Sequence, residues 1–321
     1  VKNAEVRWTL LSDDYYFYWS PPETGEERRF YDFGDDIYRT PTFQRFGEVI
    51  SSGVGKTDNE GRFTLRVPAD VGKRVISQVF TFDVAVTDVN NQEVAGRTTA
   101  IVHQGEYYIG LSPRRYVGVA NEEQTVDVVT VDTERNLRPN TEVTVVAVER
   151  EWFTVQEKAE DDRFYWVSKP QDTPIITRTV TTDQRGYASF TFTPTKGGVF
   201  AIIASGQDTR GNSVRTTTLL WVSGEPLQYV SWQQENNDRI RLVADKKEYR
   251  VGDTAEILVA SPYQGDVYAL LTLERGHIFS HQLIKLTSNS ETLSIPILPE
   301  HLPNVFVSLV LVKGVDENNP Q

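Results

Sequence analysis

Hydrophobic and polar residues alternate in short runs along most of the chain, at 62–67, 126–131, 142–148, 189–192, 256–259 and 305–312. A period of two places successive side chains on opposite faces, and these runs are rich in Val, Ile, Thr and aromatics, so each predicts a strand. No window of 11 or more residues carries the i, i+3, i+4 spacing of an amphipathic helix. Turn formers such as Asp58-Asn59-Glu60-Gly61 and Asp183-Gln184-Arg185-Gly186 recur at strand-length intervals. The pattern predicts an all-β chain.

The chain also repeats itself. Thr57-Asp58-x-x-Gly61, an alternating run and Pro68 recur as Thr182-Asp183-x-x-Gly186, another run and Pro194. Asp88 to Glu93, Arg97-Thr98-Thr99 and Gly105-Glu106 recur as Asp208 to Ser213, Arg215-Thr216-Thr217 and Gly224-Glu225. Upstream, Asn3-Ala4-Glu5-Val6 matches Asn140-Thr141-Glu142-Val143, which lies well inside the second repeat, so the first repeat lacks its opening strands. A third unit starts as the second does, with Leu242 to Tyr249 matching Ile109 to Tyr116. The expected domains are 1–106, 107–225 and 226–321, the last with its core at 239–313 and with Gln233 to Asp238 as a polar entry loop. Units of this length with about seven short strands fit tandem antiparallel β-sandwiches, about three in a row, with immunoglobulin- or fibronectin-III-like architecture. Short linkers and modest interfaces are expected between them. A sandwich without its first strands exposes an edge that invites dimer contacts.

Charge and composition then narrow the function. The 321 residues carry 33 basic and 45 acidic side chains, a net charge of −12, and the pI is near 4.9, which repels a phosphate backbone and excludes nucleic acid as a partner. No run approaches the length of a membrane span. There is no Cys, which excludes disulfides, thiolate chemistry and a thioester within the chain. There is no Met either and the first residue is Val1, so a piece of a longer chain is expected.

No motif makes an enzyme. Gly53-Val54-Gly55-Lys56-Thr57 looks like the end of a phosphate-cradling loop, but Ile50 stands where that loop needs Gly, and a turn and strand follow instead of a helix. Of His103, His277, His281 and His301, only His277 and His281 are close in sequence. On a strand, four residues span about 13 Å, too far for one metal ion. No Gly-x-Ser-x-Gly elbow occurs. Asp88-Val89-Asn90-Asn91 and Asp208-Thr209-Arg210-Gly211-Asn212 could suggest calcium, but each offers one carboxylate and reads as a turn. Asp35-Asp36 and Glu160-Asp161-Asp162 read as solvated loops. No catalytic residue, metal or cofactor is expected.

Two aromatic clusters remain, Tyr15-Tyr16-Phe17-Tyr18-Trp19 with Phe30-Tyr31-Asp32-Phe33, and Trp152-Phe153 with Phe164-Tyr165-Trp166 at the same place in the second unit. Such residues either staple a long hairpin onto a sandwich or, at Tyr15, Tyr16, Tyr18 and Trp19, form a platform for a sugar or peptide. The connection from Ser20 to Gly47 holds Arg28, Arg29, Arg39 and Arg45 as protease cut sites, although its aromatic second half argues for a docked segment.

The third unit carries a specific resemblance. Leu242-Val-Ala-Asp245-Lys-Lys-Glu-Tyr249-Arg-Val-Gly252-Asp253, Ser261-Pro262-Tyr263, Leu270 to Gly276 and Pro303-Asn304-Val305 resemble bacterial α2-macroglobulins, in the domain just before the bait-bearing one. Tyr249 would pack at a strand end, Gly252-Asp253 would turn the chain, and Pro303-Asn304 would open a late strand. The preceding units are similar to macroglobulin-like sandwiches, including Trp8 and the aromatic stretch after it. The resemblance implies a noncatalytic scaffold segment of a broad-spectrum protease inhibitor, whose partners are proteases, met through the parent protein, and neighbouring macroglobulin-like domains. It also implies a periplasmic or cell-surface parent, lipid-anchored in many relatives, with bait and any thioester downstream. The competing reading is an adhesion or glycan-binding stalk.

Overall fold

The computed structural model describes residues 1–21, 29–35, 47–158, 164–225, 228–233 and 239–312. Among them the chain is strands and loops, with a single 3-10 turn at Pro299–His301. No helix among the described residues is long and apolar enough to cross a membrane.

The first region holds β1 (Glu5–Asp14), β2 (Glu48–Lys56), β3 (Gln78–Thr87) and β4 (Glu93–Val102), in one antiparallel sheet of order β2-β1-β3-β4. Its apolar face is covered by a drape rather than a second sheet: Val67 and Val71 pack with Trp8 and Ile50 around the buried Leu10, Phe80 and Val102. Residues 62–67 were expected to form a strand and do not. The reason lies in the second region, where the equivalent segment is a strand because it has a partner.

That region contains β5 (Tyr107–Pro113), β6 (Val117–Val119), β7 (Gln124–Asp132), β8 (Glu142–Lys158), β9 (Phe164–Thr181), β10 (Tyr187–Phe192), β11 (Gly198–Gln207) and β12 (Ser213–Ser223). They form two sheets, β10-β7-β5 and β6-β12-β11-β8-β9. Alternate residues of both, among them Ile109, Val128, Val145, Phe190, Ile202 and Leu220, meet in one core. The smaller sheet is buried on its other face too. Tyr108, Val129 and Val131 point outward there and are covered by Phe17, Trp19 and Tyr31, which is why β5 reads as unbroken burial instead of alternation.

The third region holds β13 (Arg241–Ala244), β14 (Thr254–Ala260), β15 (Val267–Glu274), β16 (Ile278–Leu286), β17 (Thr292–Pro296) and β18 (Phe306–Val312), in sheets β13-β14-β17 and β16-β15-β18. Ala255, Ile257 and Val259 of β14 face inward between the two sheets, and Leu258 and Ala260 face out toward the second region.

Candidate functional site: the joint between the second and third regions

A linker and a loop close this joint. Val230 and Trp232 lie between Val117 and Val199 of the second region and Val243 and Leu258 of the third, and all six side chains are buried. A buried indole N–H needs an acceptor. Trp232 Nε1 donates to the backbone oxygen of Asn289 at 2.6 Å. The Asn289 side chain clips the linker backbone from both sides, its Oδ1 accepting Val230 N at 3.1 Å and its Nδ2 donating to Val230 O at 2.8 Å. Gly224 N donates to Ser290 Oγ at 3.0 Å beside it. Only a modest interface was expected here. The joint has an apolar core of its own, because the outward face of β14 must be covered by something.

Beside this core is a polar hub around Asp245, which is 3% exposed. Its Oδ1 accepts Tyr249 Oη at 2.7 Å and Glu256 N at 3.0 Å. Its Oδ2 faces Arg115 Nε at 3.5 Å, and its carbonyl oxygen accepts Tyr116 N at 2.8 Å. Burial raises the Tyr249 phenol well above its ordinary range, and the bond to Asp245 adds to this. Tyr249 thus packs at the strand end and also fixes the carboxylate that joins two regions.

A strap from the first region completes the joint. Residues 29–35 cross the open side of the second sandwich, with Asp32 pairing its backbone to Leu111 of β5 and Gly34 O accepting Thr217 N of β12 at 2.9 Å. This covers the β5 edge of the smaller sheet and the part of β12 that β6 leaves unpaired. Asp32 Oδ2 accepts Thr218 Oγ1 at 2.7 Å, and its Oδ1 takes Lys247 Nζ of the third region at 2.7 Å. Lys247 also lies over the Tyr116 ring at 5.0 Å. Burial by itself would lower the Lys247 ammonium, but bonds to Asp32 and Tyr116 outweigh it and the net shift is upward. Burial, followed by the Asp32 charge, pushes Tyr116 up to about 12. One carboxylate therefore ties all three regions together.

A cleft of about 330 Å³ lies between the strap and the Asp245 hub, lined by Arg29, Arg114, Asp127, Lys247 and Tyr249 among others. Its buried carboxylates are already engaged: Asp127 pairs with Arg29 and with Arg114 at 3.2 Å, and Asp245 is held as above. Among the described residues no three His, Asp or Glu side chains gather to hold a metal ion. The arrangement orders segments relative to one another, and its charged groups neutralise one another.

The remaining sequence candidates fall as follows. Gly252 has φ +95°, the conformation its turn requires, and Asp253 Oδ2 accepts Arg250 N at 2.9 Å to close it. Pro262 follows the buried Ser261, whose Oγ accepts Tyr263 N at 3.1 Å. Pro303 and Asn304 lie in a loop gripped by Arg275, whose guanidinium donates to the carbonyl oxygens of Leu302, of Asn304 at 2.9 Å and of Glu300 at 3.2 Å. Tyr15, Tyr16, Tyr18 and Trp19 do not share a face. Trp19 is buried against Tyr31 and Tyr187, and Tyr15 is partly buried, while Tyr16 and Tyr18 are 63% and 54% exposed. Asp35, expected in a solvated loop, is buried because it anchors the strap, pairing with Arg215 at 2.8 Å and accepting from Thr217 Oγ1. Arg28, Arg39, Arg45, Asp36 and the 160–162 cluster lie outside the described residues. Gly53 and Gly55 sit in β2 under the rings of Trp8 and Phe63, where a Cβ would collide. Sequence reasoning missed Asn289, Trp232 and Asp32. Only Trp232 gave a signal, as a large aromatic at the edge of a polar stretch.

Residues 240–319 match the family described as the alpha-2-macroglobulin bait region domain. The alpha-2-macroglobulin homolog of Nostoc sp. is 25% identical over 235 residues, covering 73% of this chain and 12% of that protein. Over these stretches the chain is similar to alpha-2-macroglobulins. Alpha-2-macroglobulin of Ralstonia nicotianae is 31% identical over 144 residues, which is 42% of this chain and 8% of the relative. The chain therefore spans a small part of the length of the relatives it matches. The native conformation of E. coli alpha-2-macroglobulin superposes with a TM-score of 0.47 at 14% identity, over 99% of this chain and 21% of that one. The family resemblance had put the third region just ahead of the bait-bearing domain; the matching family carries the bait region in its description and starts at the first strand of that region.

Proposed function

We propose that this chain is a noncatalytic scaffold segment of a bacterial alpha-2-macroglobulin-like broad-spectrum protease trap. The observation that carries this reading is the joint itself. Val230, Trp232 and Asn289 join the second region to the third, which carries the family match, and a strap from the first region reaches across to Lys247. A frame built this way passes a displacement in one region to the next instead of absorbing it in a loose linker. We take the regions as consecutive macroglobulin-like domains at 1–106, 107–225 and 226–321, the partners as proteases met by the parent protein, and the location as periplasmic or cell-surface.

The test uses the parent chain, exposed to several unrelated proteases while cleavage of large and small substrates is followed. A shared first cut outside the strands described above, with the protease shielded from large substrates alone, supports the trap. Scattered cuts without shielding refute it. A glycan-binding stalk would have to rely on Tyr16 and Tyr18, since Trp19 is packed away; saturable sugar binding lost in Tyr18→Ala would favour it.

A further inference from the structure

The joint between the first and second regions contains a directed chain of hydrogen bonds that ends on a histidine. Gln104 N donates to Ser77 Oγ at 2.9 Å. Ser77 Oγ lies 2.8 Å from Tyr108 Oη, which lies 2.7 Å from His103 Nδ1. Ser77 and His103 belong to the first region, where they flank β3 and β4, while Tyr108 is on β5 of the second. The Tyr108 ring also stacks on Phe17 at 3.9 Å, at the centre of the aromatic cluster that docks the strap. This phenol therefore belongs to both the hydrogen-bonded chain and the aromatic cluster of the joint.

The Gln104 N–H occupies one of the two acceptor positions of Ser77 Oγ. The arrangement that gives every hydroxyl hydrogen an acceptor has Ser77 donating to Tyr108 and Tyr108 donating to His103 Nδ1, with the imidazole neutral and its hydrogen on Nε2. A proton on Nδ1 would face the phenol with a second donor. Either the Tyr108 or the Ser77 hydroxyl hydrogen would then lose its acceptor in a buried pocket. The groups around the ring are Tyr15, edge-on at 5.9 Å, Tyr108, and Glu134, whose charge favours protonation. Burial outweighs Glu134 and holds His103 below the ordinary histidine value of 6.5.

We propose that the joint between the first and second regions is a pH-sensitive hinge, with His103 as its trigger. A group that is harder to protonate in the docked state contributes fully to docking while both states are neutral, and the contribution is lost as the pH falls below the ordinary value. The joint is tight above about pH 6.5 and loosens below it. The expected change in the docking equilibrium is roughly tenfold, the effect of losing about one net hydrogen bond.

The chain has no native Cys, so Val94→Cys in β4 and Ile175→Cys in β9, both exposed, can be spin-labelled cleanly in the full chain. Pulsed electron spin resonance should give a narrow distance distribution at pH 7.5 that broadens at pH 5. His103→Asn keeps an acceptor but cannot titrate, and should stay narrow at both. Tyr108→Phe keeps the stack and the burial of His103 but breaks the chain of bonds, and should broaden less at pH 5 than the native chain does. A native response that persists unchanged in either variant, or no response in the native protein, overturns the hinge.

Discussion

The first and second regions build the same sheet and finish it differently. The order β2-β1-β3-β4 repeats β9-β8-β11-β12, and the sequence repeats pair Val94 with Val214, Phe82 with Ile202 and Trp8 with Val145. In the second region these positions are closed, with Val214 1% exposed and Ile202 and Val145 fully buried; in the first, Val94 is 72% exposed, and Trp8 and Phe82 are only partly covered. The difference is the smaller sheet. β5 and β7 close the second sandwich, and β10 is a strand because β7 pairs with it in register from Tyr187 to Phe192. The equivalent residues 62–67 have no such partner and remain a drape. Alternation in a sequence thus sets which face a residue takes, but strand formation needs a neighbour.

This comparison is open to direct tests, which hydrogen exchange can read region by region during urea unfolding. The largest effect is expected for Ile202→Ala, which should cost the second region about 2–5 kcal/mol, while Phe82→Ala at the matching site costs the first less than half as much. Equal losses would mean that the first sheet is covered as fully as the second. Asn289→Ala removes a buried clip and leaves Val230 N and O without partners; a loss of about 1–3 kcal/mol is expected, together with earlier exchange at 228–233.

The turns at Asp88 and Asp208 sharpen the contrast. Both carboxylates accept the backbone N–H groups two and four residues on, but Asp208 also takes Glu106 N from the linker at 3.1 Å. Asp208→Ala should therefore cost about 1–3 kcal/mol and Asp88→Ala clearly less. Burial alone would raise the Asp208 carboxyl, but bonds from Asn212, Glu106 and Arg210 hold it below the ordinary 3.8. Its contribution is complete above that value and is lost as the pH falls through the lower, folded value, a loss Asp208→Ala should abolish in acid unfolding. The smallest difference is expected between Val214→Ala, at about 1–2 kcal/mol, and Val94→Ala, at about 0.5 or less.

Much of the fold was legible in local pattern. The alternating runs fell on β7, β8, β10, β14 and β18 and failed at 62–67, the repeat marked where the units begin, and the Leu242 to Asp253 stretch carried the family resemblance. The joint was not legible, because its parts are far apart in sequence. Nothing around Asn289 says that it will grip Val230, and Asp32 looks like one more loop carboxylate until Lys247 and Thr218 are folded against it. Asp35 shows the same limit, since an acidic pair in a loop reads as solvated unless its basic partner is known.

The central claim is that the second and third regions move as one body. Spin labels at Ile175→Cys in the second and Leu283→Cys in the third, both exposed sites, measure this directly in the full chain. A single narrow distance distribution, broadened by Asn289→Ala, is the predicted result. A broad distribution in the native protein, unchanged by that substitution, would mean a loose linker and would contradict the account.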